Sequence, residues 1–405
     1  MDAYVARQPI FNRRKAIFGY ELLFRDSQAK FNEGIDGDEA TSTVLGNSLF
    51  GIGMENLVDG KKSFINFTQN LLIKKIPLLL SKSAIVVEIL EDVKPTPEVL
   101  EACREMSRKG YTLALDDFTY APELAPLLEI ANILKLDFQA STLAEIRTLV
   151  GLVQKYSHLR LLAEKVETYT QFQGAKELGF DYFQGYFFCK PEIVKGKEIA
   201  GSQMSLLQIM AVVNQPDFDF GSIERLIARD VNLSYKLLRY INSAFFATAR
   251  EIASIQQALV YMGEVEIRRF VSLVTMSHLA QGKPDELIRM SCIRGKFCEL
   301  LGSMTRTSVP PDGLFTLGIF SLIDAIVDQP MERVMRELPL ADNIKSALVH
   351  RKGELIGYLG LIEYYEKGQW AMMGRVADAL HLPQAQLPEL YRQACQWSAS
   401  FSSVG

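Results

Sequence analysis

Short apolar segments recur through the first half of the sequence, and each ends at a polar residue. The polar residues stand at positions 66, 88, 116, 135, 164 and 184, and they are separated by 22, 28, 19, 29 and 20 residues. Buried parallel strands read as continuous apolar runs, and one strand with its loop and crossover helix takes about this length. Helical patterns fill the intervals, for example over 97–109 and 142–156. The first half therefore predicts repeated β/α units, which form either a closed barrel or a doubly wound sheet.

The second half of the sequence has a different period. From Gln203 onward the apolar residues follow helical spacing, as in Leu206, Leu207, Ile209 and Met210, and few strand signals remain. This half therefore predicts an all-α domain. We place the two domains at 1–195 and 203–395, with a linker at 196–202 and a tail at 396–405.

Composition narrows the class of protein. The chain has 405 residues, of which 48% are hydrophobic and 23% charged, a mix typical of soluble globular proteins. Its net charge of −4 argues against binding to a nucleic-acid polymer. No apolar run reaches the roughly 18 residues of a membrane span. Five cysteines without a C-x-x-C pair predict a reducing, cytoplasmic location and not a disulfide scaffold.

Functional residues of a β/α barrel lie at the carboxyl ends of its strands. The strand-end candidates here are Glu21, Asn66, Glu88, Asp116, Asp117, Lys135, Glu164 and Gln184. If the barrel closes, several carboxylates share one mouth, and their repulsion requires either protons or bound cations. Oxygen donors without His or Cys favour Mg²⁺, Mn²⁺ or Ca²⁺ over zinc, and two bridged metals suit phosphoester hydrolysis. One such acid alone is more often a helix cap or a loop charge, so this interpretation depends on the repetition.

The same residues resemble the EAL domain family, the cyclic di-GMP phosphodiesterases. The resemblance is carried by Arg7–Ile10, Glu21–Arg25, Asn66–Thr68, Glu88–Glu91, Asp116–Phe118, Lys135–Asp137, Ala163–Glu167 and Gln184–Tyr186. It covers about residues 1–195, and Leu22 stands where the family name has Ala. It implies a modified (β/α)8 TIM-like barrel with one antiparallel strand.

The resemblance also implies a role for each candidate residue and a reaction that opens cyclic di-GMP to linear pGpG. The implied ligands of two Mg²⁺ or Mn²⁺ ions are Glu21, Asn66, Glu88, Asp116 and Asp117. The implied catalytic residues are Glu164, Lys135 and Gln184. The implied substrate-binding residues are Gln8 and Arg25, and the implied supporting residues are Glu91, Asp137 and Glu167.

Two positions depart from the family pattern. Thr119 stands where the family usually has Gly after Asp-Asp-Phe, and Lys165 stands where it has Gly before the Val. If either backbone needs a left-handed conformation, a residue other than Gly costs about 1–2 kcal/mol. Lys165 also brings a positive charge toward the mouth. These departures remove no implied ligand, and they bear on rate and regulation.

The second half resembles the HDOD family, a helical relative of the HD phosphohydrolases. The residues that carry this resemblance are Leu233–Ala244 and Ile255–Gly263. A hydrolase of the HD type needs a His-Asp pair for its metal, and none of the three histidines in this half is followed by Asp. We therefore expect a non-catalytic HDOD domain that docks a protein partner or regulates the barrel. Asn242 after the amphipathic helix is interpreted as a structural cap.

Three hypotheses follow for the whole chain. In the first, the barrel is a metal-dependent phosphodiesterase that acts on cyclic di-GMP. In the second, the barrel binds cyclic di-GMP without cutting it and passes a signal to the helical half, as a receptor. In the third, neither ligand nor metal binds and the chain is a scaffold. Under each hypothesis the protein can form a homodimer or remain a monomer. Neither a membrane nor a nucleic-acid polymer is an expected partner.

Overall fold

The computed structural model describes residues 3–26, 57–192, 201–213, 227, 231–242, 252, 254–305, 307 and 309–402. The contacts divide the chain into two compact units, residues 1–188 with 365–371 and residues 189–364 with 372–405. Most of the predicted linker lies outside the described residues, so the domain boundaries stay a prediction.

The first unit contains a closed barrel whose strands follow chain order. The strands are β1 (Ala3–Asn12), β2 (Ile17–Asp26), β3 (Lys62–Phe67), β4 (Ile85–Ile89), β5 (Thr112–Leu115), β6 (Ile133–Asp137), β7 (Arg160–Glu164) and β8 (Tyr182–Gln184). Strand β1 runs antiparallel to both β2 and β8, and the other neighbours pair in parallel. The expected barrel with one antiparallel strand is confirmed, and closure of the sheet excludes the doubly wound alternative.

An apolar layer fills the inside of the barrel beneath its mouth. The layer consists of Ile10, Phe64, Val86, Ala114, Ile133 and Leu162, all buried. In each of the five parallel strands β3 to β7, the layer residue lies two positions before one of the polar candidates. Because side chains on a strand alternate between faces, the polar residue two positions later also points inward. Strand geometry therefore places a ring of polar groups directly above a dry core.

Helices on the outside of the barrel begin at well-defined caps. They are α1 (Gln69–Ile73), α2 (Pro97–Arg108), α3 (Ala125–Leu128), α4 (Leu143–Val153) and α5 (Tyr169–Glu177). In each of α1, α2, α4 and α5, the threonine that precedes the helix accepts the backbone N–H of the third helical residue, and α4 and α5 carry full capping boxes. The helices predicted over 97–109 and 142–156 are thus confirmed as α2 and α4.

A short segment from late in the chain, residues 365–371, also belongs to the first unit. The ring centroids of Tyr365 and Trp370 lie 6.3 and 5.5 Å from that of Tyr4 on β1. Tyr4 is only 4% exposed. The segment therefore completes the burial of an aromatic residue at the start of the barrel.

The second unit is helical, as predicted. Its helices are α6 (Gly201–Val213), α7 (Val231–Ile241), α8 (Ile255–Leu279), α9 (Asp285–Gly302), α10 (Pro311–Phe320), α11 (Ile323–Val327), α12 (Met331–Glu337), α13 (Asp342–Lys345), α14 (Ile356–Glu366), α15 (Trp370–Ala379) and α16 (Leu387–Ser402). The last two residues of α14 and the first two of α15 belong to the segment 365–371 of the first unit. Helix α16 continues through most of the residues that we assigned to a tail. None of the helices in the described part of the chain is both long and apolar enough to cross a membrane.

Asn242 closes helix α7, as its interpretation as a cap predicted. Its amide nitrogen donates to the carbonyl oxygens of Leu238 and Ile252, both at 2.8 Å. Its amide oxygen accepts from the backbone N–H of Ile252, also at 2.8 Å. One side chain therefore ends the helix and fixes the segment that leads into α8.

Candidate active site

The ammonium group of Lys135 lies at the centre of the barrel mouth. Its Nζ atom is 2.7 Å from Glu88 Oε1, 2.7 Å from Asp116 Oδ1, 3.0 Å from Glu164 Oε1 and 3.5 Å from Glu21 Oε1. The Lys135 side chain is fully buried. The structure thus brings together, from five different strands or strand ends, five of the residues that the sequence predicted. We call these five residues the Lys135 cluster.

Side-chain amides complete the ring around Glu21. Gln184 Nε2 donates to Glu21 Oε2 at 2.5 Å and to Gln8 Oε1 at 3.0 Å. Asn66 Nδ2 donates to Glu21 Oε1 at 3.4 Å. Amides from β3 and β8 thus orient the Glu21 carboxylate, and Gln8 of β1 accepts from the same Gln184 amide. The predicted residues Gln8, Asn66 and Gln184 therefore all lie at the same mouth.

The electrostatics of the Lys135 cluster show a surplus of negative charge. Burial raises the pKa of Glu88 well above its ordinary value, and Lys135 only partly opposes this. Burial also raises the pKa of Glu164 to about 8, against the opposing effect of Lys135 and with further increase from Asp116 and Glu21. Burial lowers the pKa of Lys135, but the four carboxylates outweigh it, and the net pKa is well above the ordinary value. The single ammonium group of Lys135 therefore forms ion pairs with four acids.

Several buried oxygen atoms of this mouth accept no hydrogen bond from the described residues. They are Glu88 Oε2, Glu164 Oε2 and Gln184 Oε1. A buried acceptor without a partner is costly, and hard divalent cations prefer oxygen ligands of this kind. Among the described residues, no three His, Cys, Asp or Glu side chains form a metal-ligand group, and four of the acids are directed at Lys135 instead. The donor atoms and the charge therefore fit a divalent cation. In this structure the acids are arranged around the ammonium group of Lys135.

Asp117 lies outside the Lys135 cluster and is more exposed than its neighbour Asp116. Its Oδ1 atom is 3.7 Å from the Nζ atom of Lys165, and its side chain is 41% exposed. Its backbone is left-handed, with φ 39°. The following residue, Phe118, donates its N–H to the carbonyl oxygen of Lys135 at 3.1 Å. The loop after β5 is thus attached to β6, and Asp117 is turned toward the outer side of the mouth.

The two departures from the family pattern have different outcomes. Lys165 has φ 53°, so the left-handed conformation that we considered for this position is present. Thr119 is not among the described residues with positive φ, and the left-handed residue of that loop is Asp117. The conformational cost thus applies at Lys165 and not at Thr119.

Two of the three supporting residues predicted from the sequence, Asp137 and Glu167, form a small network with the loop after β6. Asp137 Oδ1 accepts the backbone N–H groups of Gln139 at 2.6 Å and Ala140 at 3.0 Å. Gln139 Nε2 donates to Glu167 Oε1 at 2.7 Å. Sequence reasoning missed Gln139, because it lies in a loop where no strand period marks the direction of a side chain.

The two remaining predicted residues are Arg25 and Glu91. Arg25 is on the same face of β2 as Glu21, four residues further along, and it is buried. Glu91 is exposed and, with Asp116, Asp117 and Thr119, lines a cavity of about 240 Å³. Their roles in substrate binding and loop support stay predictions.

Comparison with known proteins identifies two family domains in this chain. The family model of the EAL domain matches residues 57–191, and the model of the HDOD domain matches residues 202–337. The barrel and its polar mouth therefore define an EAL domain, and the helical unit contains an HDOD domain.

Two curated proteins match almost the whole chain. Cyclic di-GMP phosphodiesterase CdgJ of Vibrio cholerae serotype O1 is 42% identical over 403 residues, which are 99% of this chain and 93% of that protein. The uncharacterized protein YuxH of Bacillus subtilis is 36% identical over 98% of both chains. The chain belongs to the family of proteins that join an EAL domain to an HDOD domain. Among solved structures, a standalone EAL protein from Vibrio cholerae O395 in its c-di-GMP-bound form is 24% identical, with a TM-score of 0.36 over 47% of this chain and 92% of that chain.

Proposed function

We propose that the barrel hydrolyses cyclic di-GMP to linear pGpG with the help of divalent metal ions. The observation that carries this proposal is the Lys135 cluster, in which four acids share one ammonium and leave buried oxygen atoms unpartnered. The name of the 42% identical relative CdgJ supports the same activity.

The metal ions in this proposal are Mg²⁺ or Mn²⁺. Their ligands would be Glu21, Asn66, Glu88, Asp116 and Asp117. Bound there, divalent cations supply Lewis-acid activation of water and of the phosphodiester. The oxygen-only donor set suits these hard ions, and the surplus negative charge of the mouth stabilises them.

The side chains of this chain have separate tasks in the reaction. Lys135 holds the carboxylates in place and lends positive charge to the mouth as negative charge develops on the phosphate. Glu164 is suited to accept a proton, because burial raises its pKa to about 8. Gln184 Oε1, which accepts no hydrogen bond from the described residues, would accept one from the attacking water. Gln8 and Arg25, on β1 and β2, would hold the substrate, and a guanidinium matches phosphate geometry.

The helical unit has no catalytic task in this proposal. We assign it the regulation of the barrel or the docking of a protein partner, in a cytoplasmic signalling protein.

The test is chromatographic separation of nucleotides after the full-length protein is incubated with cyclic di-GMP and Mg²⁺, Mn²⁺ or no metal. We expect pGpG with either metal and none without, and a loss of about a hundredfold or more in turnover for Glu21→Gln. Glu98→Gln, in an exposed glutamate of α2, is the matched control and should keep full turnover.

Two results would contradict the hypothesis that the barrel is an enzyme. Intact cyclic di-GMP that is bound with measurable affinity would favour the receptor hypothesis, and the ammonium of Lys165 beside Asp117 gives that hypothesis a physical basis. If folded protein neither binds nor hydrolyses cyclic di-GMP, the scaffold hypothesis is the one that remains.

A further inference from the structure

A second ammonium group lies at the edge of the mouth. The Nζ atom of Lys165 contacts Asp137 Oδ2 and lies 3.7 Å from Asp117 Oδ1. The Lys165 side chain is 49% exposed, whereas that of Asp137 is 11% exposed. A partly exposed cation is therefore held between one largely buried acid and one solvent-accessible acid.

Asp137 is the fixed partner of this pair. Its other carboxylate oxygen accepts two backbone N–H groups, from Gln139 and Ala140. Burial acts to raise the pKa of Asp137, but the contact with Lys165 and these two backbone bonds together outweigh it, and the net pKa is lowered. Asp137 thus stays charged and oriented, and it holds the Lys165 ammonium toward Asp117.

The backbone of Lys165 is strained, and its neighbours hold it in that state. The residue has φ 53°. The next residue, Val166, donates its N–H to the carbonyl oxygen of Gln184 at 2.9 Å and accepts from the N–H of Phe187 at 3.1 Å. The left-handed conformation of Lys165 beside the mouth is therefore maintained by backbone hydrogen bonds of the following residue.

We propose that Lys165 is a positioning residue that acts as an internal counterion for Asp117 and thereby weakens the binding of one divalent cation. This inference rests on the proposed function, because Asp117 is one of the proposed metal ligands. A divalent cation that uses the Asp117 carboxylate has to compete with an ammonium that is already in place. The cation site beside Asp117 is therefore weaker than the carboxylates alone would make it.

The test is calorimetric titration of Mn²⁺ into metal-free, full-length protein. Lys165→Met removes the ammonium and should tighten Mn²⁺ binding by about twofold to fivefold, the range expected when a partly exposed ion pair no longer competes with the cation. Lys165→Arg keeps the charge and should bind Mn²⁺ like the unaltered chain. Lys165→Gly removes the ammonium and also relieves the backbone strain, and it should match Lys165→Met.

Lys75→Met is the matched control. Lys75 is also left-handed, with φ 56°, and its side chain is 46% exposed and paired with Glu105 on α2. Its removal should leave Mn²⁺ affinity unchanged.

The outcomes separate this inference from the proposed function. Tighter binding in Lys165→Met and Lys165→Gly but not in Lys165→Arg supports it. Unchanged or weaker binding in Lys165→Met, in a protein with an unaltered melting temperature, overturns it and leaves the metal site intact. Tightening in Lys165→Gly alone overturns it as well, since backbone strain would then be the cause. If the unaltered chain binds no Mn²⁺, both this inference and the metal-dependent mechanism fail.

Discussion

Gly185 decides how the two last strand ends of the barrel meet. Its φ of 136° lies in a region that side-chain-bearing residues rarely adopt. A Cβ atom at this position would lie 2.2 Å from the carbonyl oxygen of Val166. The close approach lets Gln184 receive the N–H of Val166 while its side chain reaches Glu21. The absence of a side chain at Gly185 thus allows the Gln184 amide of β8 and the Glu164 carboxyl of β7 to lie at the same mouth.

We expect Gly185→Ala to lower the free energy of unfolding by about 3 kcal/mol or more, because backbone strain and a clash with backbone atoms add. Gly179→Ala is the control. Gly179 also has positive φ, at 95°, but a Cβ atom at that position would meet no other atom within 4 Å. It should therefore cost only about 1–2 kcal/mol. Urea unfolding followed by circular dichroism measures both, and equal losses would contradict the role of the close approach.

At the scale of elements, the short helix α11 combines an apolar surface with one largely buried acid. Four of its five residues, Ile323, Ala325, Ile326 and Val327, are buried. Asp324 in its first turn accepts the N–H of Ala325 at 2.9 Å. Burial raises the pKa of Asp324 to about 6, although this hydrogen bond and Arg294 oppose the shift. The Asp324 carboxyl group therefore binds a proton more tightly in the folded chain than in the unfolded chain.

The pH dependence of stability follows from that direction. A raised folded pKa stabilises the fold below the unfolded value of about 3.8, and this stabilisation is lost as pH rises through about 6. Asp324→Asn should thus be more stable than the unaltered chain at pH 8, by at most about 3 kcal/mol, and the difference should shrink toward pH 4. Thermal unfolding of both chains across this range measures it. A difference that grows toward acid pH would contradict the assignment.

At the scale of the whole molecule, chain order and spatial organisation do not coincide. Residues 365–371 follow most of the helical chain, yet they belong to the unit that contains the barrel. There Tyr365 and Trp370 cover Tyr4 near the beginning of the chain, and Tyr365 and Trp370 also contact each other at a ring-centroid distance of 5.3 Å. The barrel unit therefore includes an aromatic contact that a chain cut after the barrel would lack.

Tyr4→Ala should lower the free energy of unfolding of the barrel unit by about 3 kcal/mol, as expected for removal of a buried aromatic side chain. The chain has two tryptophans, so Trp397→Phe leaves Trp370 as the fluorescent reporter beside Tyr4. Urea titration of Trp370 fluorescence measures the change. Tyr235→Ala, at a tyrosine that is 61% exposed, is the control and should leave the midpoint in place. An unchanged midpoint in Tyr4→Ala would show that the aromatic contact does not stabilise this unit.

The strand period by itself predicted the repeated β/α units and, on the condition that the sheet closes, most of the polar mouth. It left a doubly wound sheet open, and closure into a barrel is decided by the tertiary structure. Asn66, Glu88, Asp116, Lys135 and Glu164 each follow an apolar-layer residue by two positions, and alternation along a strand sends both members of such a pair to the same side. The helical half was predictable for a similar reason, since helical spacing is also a local property of the sequence.

The loops beyond the strand ends were decided only by the tertiary structure. Three features there follow no local period of the sequence. They are the left-handed backbone of Asp117, the contact of Lys165 with Asp137, and the covering of Tyr4 by a distant segment. Each depends on hydrogen bonds or packing with a different part of the chain. Side-chain direction inside a strand is set by its own backbone, whereas conformation in a loop is set by the neighbours against which the loop folds.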